Sequence, residues 1–454
     1  AELHKAATHP RSLGRSNEWA APTGLLAEKR PGVKVLLVAT RIDHEGGGAA
    51  AAARQLALGL RRFGHEVVVV ATQRAGSAQI EDGDGIRYYR FRPRNLYWIG
   101  DKDTKPPYQR AIFQTIDLWN AHVYQTLRAI IAHEQPAVVH THKLRGLSPS
   151  VWTAARAACP GSRLVHTCHD HELISPEGTL TGRLGQLAMR GSGWLWPYQA
   201  IRRAQSRSVA IVAAPSRLTL ERHTALGYFP GAQSCVVPNS HGLSQAELDA
   251  LYVAANRQSG EYSGRTRLLY LGRLDRIKGV DVLCAAFEQA VGARPALQLD
   301  VAGSGVLLDS LRQRYAHLPQ LVFHGHVQGD RKRELLAAAD ALVVPTVGQE
   351  VFGIVIVEAF AHGKPVIATA TGGIPEVVRE GETGFLVEPG RVECLVDRMI
   401  WASDNVTSLR AMGPACLAAA PAYTLEAIAN AYLTVYGVAH VAAGGPAWMA
   451  YAKQ

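Results

Sequence analysis

The sequence predicts an α/β protein built of two Rossmann-like, doubly wound domains facing a central cleft. Three observations carry this. Short apolar runs of strand length alternate with stretches of helical spacing almost throughout. The alternation comes in two series, joined near VVPNSHGLS (236–244), where Pro238, Asn239 and Gly242 punctuate the chain. The strand-like runs feed polar or glycine-rich tips, where ligands of parallel sheets bind.

In chain order, residues 1–30 are polar and aperiodic, lack the apolar stretch of a signal peptide, and read as a loose extension. The first domain spans 31–240. VKVLLVAT (33–40) is a strand, AAARQLALGLRRFG (51–64) a helix ending in glycine, and HEVVVVAT (65–72) a strand. After a less regular region come the strands AVVHTH (137–142), RLVHTCHD (163–170) and VAIVAAPS (209–216). The second domain spans 241–425. Its strands are RLLYLGRL, LQLDVAGSG, LVFHGHV, ALVVPT, PVIATA and GFLVEP, most of them separated by helical stretches. Residues 426–454 read as a C-terminal helix and tail expected to pack back on the first domain.

Composition sets outer limits. The chain has 454 residues, 47% hydrophobic and 19% charged, ordinary for a soluble globular protein. It contains no run of 18 apolar residues, so no transmembrane helix is expected. Six scattered cysteines form no C-x-x-C pair, which argues against a zinc site or disulfide framework and fits a reducing cytosol. The net charge of +10 is uneven. Residues 1–240 hold 30 Lys and Arg against 17 Asp and Glu, a balance of +13; residues 241–454 hold 18 against 21, a balance of −3. A basic half suits a phosphorylated substrate, nucleic acid or an acidic membrane surface, or simply solubilises the protein. No nucleic-acid-binding module is visible, so nucleic acid is not an expected partner.

Several junctions carry chemistry. Gly46, Gly47 and Gly48 precede the first helix and would let backbone approach a ligand, though this is not G-x-G-x-x-G and a bare turn would look the same. In LGRLDRIKG (271–279), Arg273 and Lys278 could clamp a diphosphate or stand solvated. VAGSG (301–305), with Gly303, either leaves room for a ligand or makes the turn. In QEVFGIVIVEAF (349–360), Gly353 marks the helix start and Glu350 stands in the loop before it. Glu358 lies roughly one and a half turns into that helix. Its neighbours Val355, Ile356, Val357, Ala359 and Phe360 are apolar, so Glu358 needs a specific partner.

Together these motifs resemble the retaining glycosyltransferases of family four, which have the GT-B architecture. Glu350-x7-Glu358 is followed by GKPVIA, GGIPEVV and GETGFLV. The glycine loop, VVPN, GR…KG and AGSG stand in the family's order, and the likeness covers roughly residues 33–435. It departs at PNS (238–240), where the family usually has PNG. The resemblance implies that Arg273 and Lys278 hold the donor diphosphate, that Glu358 accepts from the ribose hydroxyls, and that Glu350 faces the transferred sugar. It implies backbone contacts to sugar and phosphate from Phe352, Gly353, Ile354 and Val355, and a cleft lined by Gly47, Gly48 and Gly303. His326 and Val327 would lie near the base. His169, in TCHDHELISPEG (167–178), matches the family's active-site histidine, with Asp170 and His142 toward the acceptor. His140 and His142 are spaced like a metal pair but read as cleft lining, and the resemblance requires no metal or cofactor. The implied reaction transfers a sugar from a nucleotide-sugar donor, by front-side attack with retention, to a glycan or lipid-linked acceptor of a bacterial surface polysaccharide or glycolipid. A small-metabolite acceptor, an epimerase or phosphorylase on the same fold, and an idle sugar-nucleotide-binding scaffold are the alternatives.

RYYRFRPRNLYWIG (87–100) and RLGQLAMRGSGWLWPYQAIRRAQSRS (183–208) mix arginines with aromatics. The second stretch includes Trp194, Trp196, Tyr198 and Arg202. Such mixtures suit an acidic membrane interface, or ordinary amphipathic packing. The expected location is cytoplasmic, peripheral on the inner face of the membrane through the basic first domain.

Overall fold

The computed structural model describes residues 32–42, 46–190, 195–257 and 264–438. The extension at 1–30, the tail beyond residue 438 and Trp194 lie outside the described residues. The first sheet holds β1 (Lys34–Ala39), β2 (Glu66–Thr72), β3 (Gln79–Gly83), β4 (Ile86–Phe91), β5 (Val138–Thr141), β6 (Arg163–Thr167), β7 (Ile211–Ala214) and β8 (Gln233–Val236). Their order is β3-β4-β2-β1-β5-β6-β7-β8, parallel except for the β3–β4 pair. The second sheet holds β9 (Thr266–Leu271), β10 (Leu297–Ala302), β11 (Leu321–Gly325), β12 (Ala341–Val344), β13 (Val366–Thr369) and β14 (Gly384–Val387). It runs β11-β10-β9-β12-β13-β14, all parallel.

The central strands are continuous β-branched and aliphatic runs because helices cover both faces. Leu36, Val38, Val68 and Val70 pack with Val123, Leu127, Ile131 and Trp152 on one side of the first sheet. Val35, Leu37, Val67 and Val69 pack with Ala53, Leu56 and Leu60 on the other. The hairpin β3–β4 and the strand β8 fall outside the strands read from sequence. QIEDG is exposed and lacks apolar alternation. The hairpin is set instead by Asp84 and Gly85, both at positive φ (54° and 68°), a two-residue turn that suits twisted strands. β8 buries only Cys235 fully.

Two connections tie the domains. Helix Leu425–Val435 lies against helix Gly47–Arg62 of the first domain. A Cβ on Gly59 would stand 2.6 Å from the Leu425 carbonyl oxygen and 2.8 Å from the Ala429 methyl, so only glycine allows this approach. Glu376 of the second domain accepts from the backbone N–H groups of Arg217 (2.7 Å) and Leu218 (2.9 Å), at the start of a first-domain helix.

The strand order reverses between β1 and β5 in one sheet and between β9 and β12 in the other. These are the points where such sheets bind ligands. They face each other, since a Cβ on Gly48 would lie 3.6 Å from Ile354 Cδ1.

Parts of the aromatic-basic stretches are structural, which limits any interfacial role to the side chains that stay exposed. Tyr89 and Arg87 of β4 donate to Glu134. Arg202 is buried against Asp117 (3.4 Å), and the Tyr198 hydroxyl donates to the Glu172 carbonyl (2.5 Å). A buried guanidinium is held by its carboxylate and cannot reach a lipid surface.

Glu134 supplies a test of the core. Its carboxylate accepts from Tyr89 (2.6 Å), Lys34 (3.0 Å) and Arg87 (3.1 Å). Burial pushes its pKa up, but these donors outweigh it and hold the carboxyl at about 2, against 4.5 when free. A depressed folded-state pKa adds stability that is present above pH 4.5 and is lost as pH falls toward 2. Glu134→Gln should therefore flatten the fall in denaturation midpoint across that window; an unchanged slope would contradict the assignment.

Candidate active site

The site is assembled by glycines that let loops meet backbone to backbone. Gly279 has φ +69°, and a Cβ there would overlap the Pro345 carbonyl oxygen. The turn Arg276–Lys278 is thereby seated against the end of β12, where Val347 and Gly348 both donate their N–H groups to Ile277 O at 3.0 Å. Asp275 accepts from the Lys278 N–H at 2.9 Å. The result is an ion pair between the Lys278 ammonium and the Glu350 carboxylate.

Glu350 is also held from behind. Gly373 donates to its carbonyl at 2.7 Å, and Gly372, at φ +59°, leaves the space that carbonyl occupies. This explains why the acid and the later GG pair occur together. Gly353, at φ +84°, caps helix Ile354–Ala361; Phe352 is buried beside it, and Val355 is half-buried on the first turn.

Glu358 is the fifth residue of that helix. One carboxylate oxygen accepts from Lys332 at 2.6 Å. The other is buried and has no hydrogen-bond partner among the described residues. An unsatisfied buried carboxylate oxygen is costly, and a ligand hydroxyl would satisfy it. Lys332, on helix Gly329–Ala338, was not singled out in the sequence, because nothing in its surroundings distinguishes it from a solvated lysine.

The remaining residues of this domain divide. Arg273 is largely exposed and pairs with Asp275 at 3.2 Å. Gly303 has a packing reason: a Cβ there would overlap the Gly272 carbonyl beneath the Arg273 loop. His326 is exposed and contacts Gln328 at 2.6 Å, and Val327 is half-buried.

Across the cleft, Gly47 stands at φ +73° with open space where a Cβ would be. His169 follows β6 and is half-buried, with Nε2 2.8 Å from His142 Nδ1 and the rings stacked at 5.1 Å. Burial lowers its pKa to about 4, so it is neutral near pH 7. Asp170 pairs with Lys143 at 2.8 Å; burial pushes its carboxyl up, but Lys143 and Arg145 hold it well below the usual range. Glu172, missed in the sequence, accepts from the N–H groups of Leu144 (2.5 Å) and Arg145 (3.2 Å), and burial and Asp170 push its pKa up.

The expectation that His142 and His140 line the cleft is corrected. His142 is only 2% exposed and lies behind His169. His140 is fully buried between the Tyr436 hydroxyl (2.6 Å) and Thr167 Oγ1 (2.7 Å). Both stand at the end of a strand covered on both faces, so alternate positions are equally internal. Among the described residues, no group of three or more His, Cys, Asp or Glu side chains is arranged to hold a metal ion.

Residues 265–405 match the family model "Glycosyl transferases group 1", and residues 47–240 match "Glycosyl transferase 4-like domain". The chain belongs to the group 1 glycosyltransferases. The glycosyltransferase is 27% identical over 338 residues to an uncharacterized 42.6 kDa protein in the cps region of Klebsiella pneumoniae (73% of this chain, 84% of that one). It is 28% identical over 370 residues to an uncharacterized glycosyltransferase of Methanocaldococcus jannaschii (80% and 85%). It is 32% identical over 212 residues to phosphatidyl-myo-inositol mannosyltransferase of Mycobacterium tuberculosis (45% and 54%). Its GT-B fold is shared with sucrose-phosphate synthase from Thermosynechococcus elongatus (TM-score 0.68, 21% identity, 89% and 98% covered). It is shared also with Anabaena HepE in complex with UDP-glucose (TM-score 0.59, 19% identity, 89% and 99%).

Lys278 reaches the cleft but supports no core packing. Lys278→Ala should weaken nucleoside-diphosphate binding by calorimetry about tenfold or more, as expected for losing a hydrogen bond to a charged group, with little change in the ligand-free unfolding midpoint. Equal affinity in variant and parent would remove Lys278 from the donor site.

Proposed function

We propose that this glycosyltransferase moves a hexose from a nucleoside-diphosphate donor, with retention of configuration and without a metal, to a glycan or lipid-linked acceptor in surface polysaccharide or glycolipid synthesis. One observation carries the reading: Glu358 has one carboxylate oxygen bound by Lys332 and one buried and open, on the helix that follows the Lys278–Glu350 pair. The open oxygen of Glu358 suits a ribose hydroxyl, and the Lys278 ammonium with the Glu350 carboxylate suits a diphosphate and the hexose it carries.

In this reading the diphosphate lies at the N-terminus of helix Ile354–Ala361, where free N–H groups and Arg273 and Lys278 stabilise the charge that develops as it departs. Backbone groups of Phe352, Gly353 and Ile354 contact sugar and phosphate. His326 and Val327 flank the base, and Gly47 and Gly48 let the first domain close on the sugar. Glu350 is held by Lys278 and orients the hexose rather than attacking it. The acceptor hydroxyl approaches from the leaving-group side, and a donor phosphate oxygen takes its proton. His169 faces the sugar, and Asp170 orders the acceptor side. The surface-glycan setting is supported by the relative in a cps region, and the lipid-linked acceptor by the phosphatidyl-inositol mannosyltransferase.

The decisive measurement is thermal unfolding with UDP, GDP, ADP and TDP and their hexose conjugates, with and without magnesium. A ligand that binds only the native state raises the midpoint. The expected result is a rise with one base, equal with and without magnesium; a rise only with the metal would overturn the metal-independent reading.

The membrane part of the proposal rests on the surface that remains exposed. Tyr108, Arg110 and Ile112 on helix Pro107–Leu118, and Trp196, Ile201 and Arg207 beside helix Trp196–Ser206, are solvent-facing, and the two helices pack together. No helix among the described residues is long and apolar enough to cross a membrane. An exposed apolar and basic face suits peripheral docking on anionic lipid. Sedimentation with anionic vesicles should capture the protein at low salt and less at moderate salt, and a Trp196→Ser, Ile112→Ser variant should bind less. No capture at either salt would refute docking.

A further inference from the structure

His142 fits no substrate-contact role, yet every atom of its ring is placed. Its backbone N–H donates to Val38 O at 2.9 Å, which anchors it to the end of β1. Its ring lies between those of His140, 4.3 Å away, and His169, 5.1 Å away. Nδ1 meets His169 Nε2 at 2.8 Å. Nε2 is buried and has no hydrogen-bond partner among the described residues.

This geometry decides which proton is where. Two neutral imidazoles joined through one nitrogen each have two arrangements, since each ring carries a single N–H. If His142 carried its proton on Nε2, a buried N–H would be left without an acceptor, and among backbone groups an orphaned N–H is rarer than an under-satisfied acceptor. If it carries the proton on Nδ1, only a lone pair is left without a partner, a milder cost, and the N–H is used. His142 Nδ1–H then donates to His169 Nε2. The His169 proton must accordingly sit on Nδ1, which bonds to nothing among the described residues. Burial keeps both rings neutral near pH 7.

We infer that His142 is a positioning residue that locks His169 in the Nδ1–H tautomer, so that His169 meets the substrate as a hydrogen-bond donor to a sugar oxygen and not as a base. The substrate half of this statement rests on the glycosyltransferase site proposed above; the tautomer half does not. A neutral donor fixed in place before the sugar arrives needs no reorganisation on binding.

The test is long-range nitrogen correlation spectroscopy on the full chain labelled in its histidines, without ligand, at pH 7. The His169 signals are assigned by their loss in His169→Gln. The expected spectrum of the parent protein shows His169 protonated on Nδ1 and bare on Nε2. His142→Phe should replace that single pattern by an exchange-averaged mixture of both tautomers. His142→Asn, whose amide N–H can stand near the former Nδ1, should restore it. A parent spectrum with His169 protonated on Nε2 would overturn the inference without any variant needing to fold, as would an unchanged pattern in His142→Phe. Titration with UDP-glucose separates the two halves. A His169 Nδ1–H that shifts on binding supports the donor contact. A bound nucleotide sugar that leaves it unmoved overturns the contact while the tautomer stands.

Discussion

The ion pair between Lys278 and Glu350 is the contact on which the second domain's ligand face depends. It joins two loops that are distant in sequence, and it depends on four glycines that shape the backbones around it. Gly279 lets the lysine turn settle on β12, Gly372 and Gly373 hold the Glu350 carbonyl, and Gly353 starts the helix at a positive φ. A Cβ at Gly279 or Gly372 would collide with backbone, which cannot swing aside as a side chain can. The charges are therefore positioned by chain geometry, and the cleft holds an acid and a base in register before any ligand arrives.

The first domain is set against this face by contacts of another kind. The Glu376 carboxylate satisfies two N–H groups at the start of a first-domain helix. The C-terminal helix returns to bury Ile428, Ala429 and Tyr432 against the first sheet. One contact is polar and local, and the other is broad and apolar. A pair of N–H groups is easily re-solvated, whereas a buried helix face is not. The helix is thus the broader joint, and the carboxylate cap a local polar contact. The Tyr436–His140 and Tyr432–Thr167 bonds extend that joint to the strand ends behind His169.

Burial divides the histidines at the ends of β5 and β6 into a layer that touches the cleft and a layer that supports it. His169 lies in the first, and His140, His142 and His166 in the second. In sequence only the family resemblance sets His169 apart, His140 and His142 read as cleft lining, and nothing singles out His166. Their difference comes from what the sheet and the returning C-terminal helix place over each of them. The carboxylates beside them part in the same way: Lys143 keeps Asp170 ionised, while burial drives Glu172 toward its protonated form.

The sequence by itself determined the α/β class, the two parallel series and the motifs around Arg273, Lys278, Glu350 and Glu358. These are legible because covered parallel strands demand unbroken apolar runs and because positive-φ turns and close backbone approaches demand glycine. Only the tertiary structure decided the rest. It showed β3–β4, a hairpin that buries nothing for periodicity to report and is marked only by Asp84-Gly85. It paired Lys332 with Glu358, buried Arg202 against Asp117, and placed His142 behind His169 instead of in the cleft. Each of these depends on which element covers a given side chain. That is a property of long-range packing, and a charged or aromatic residue carries no local sign of it.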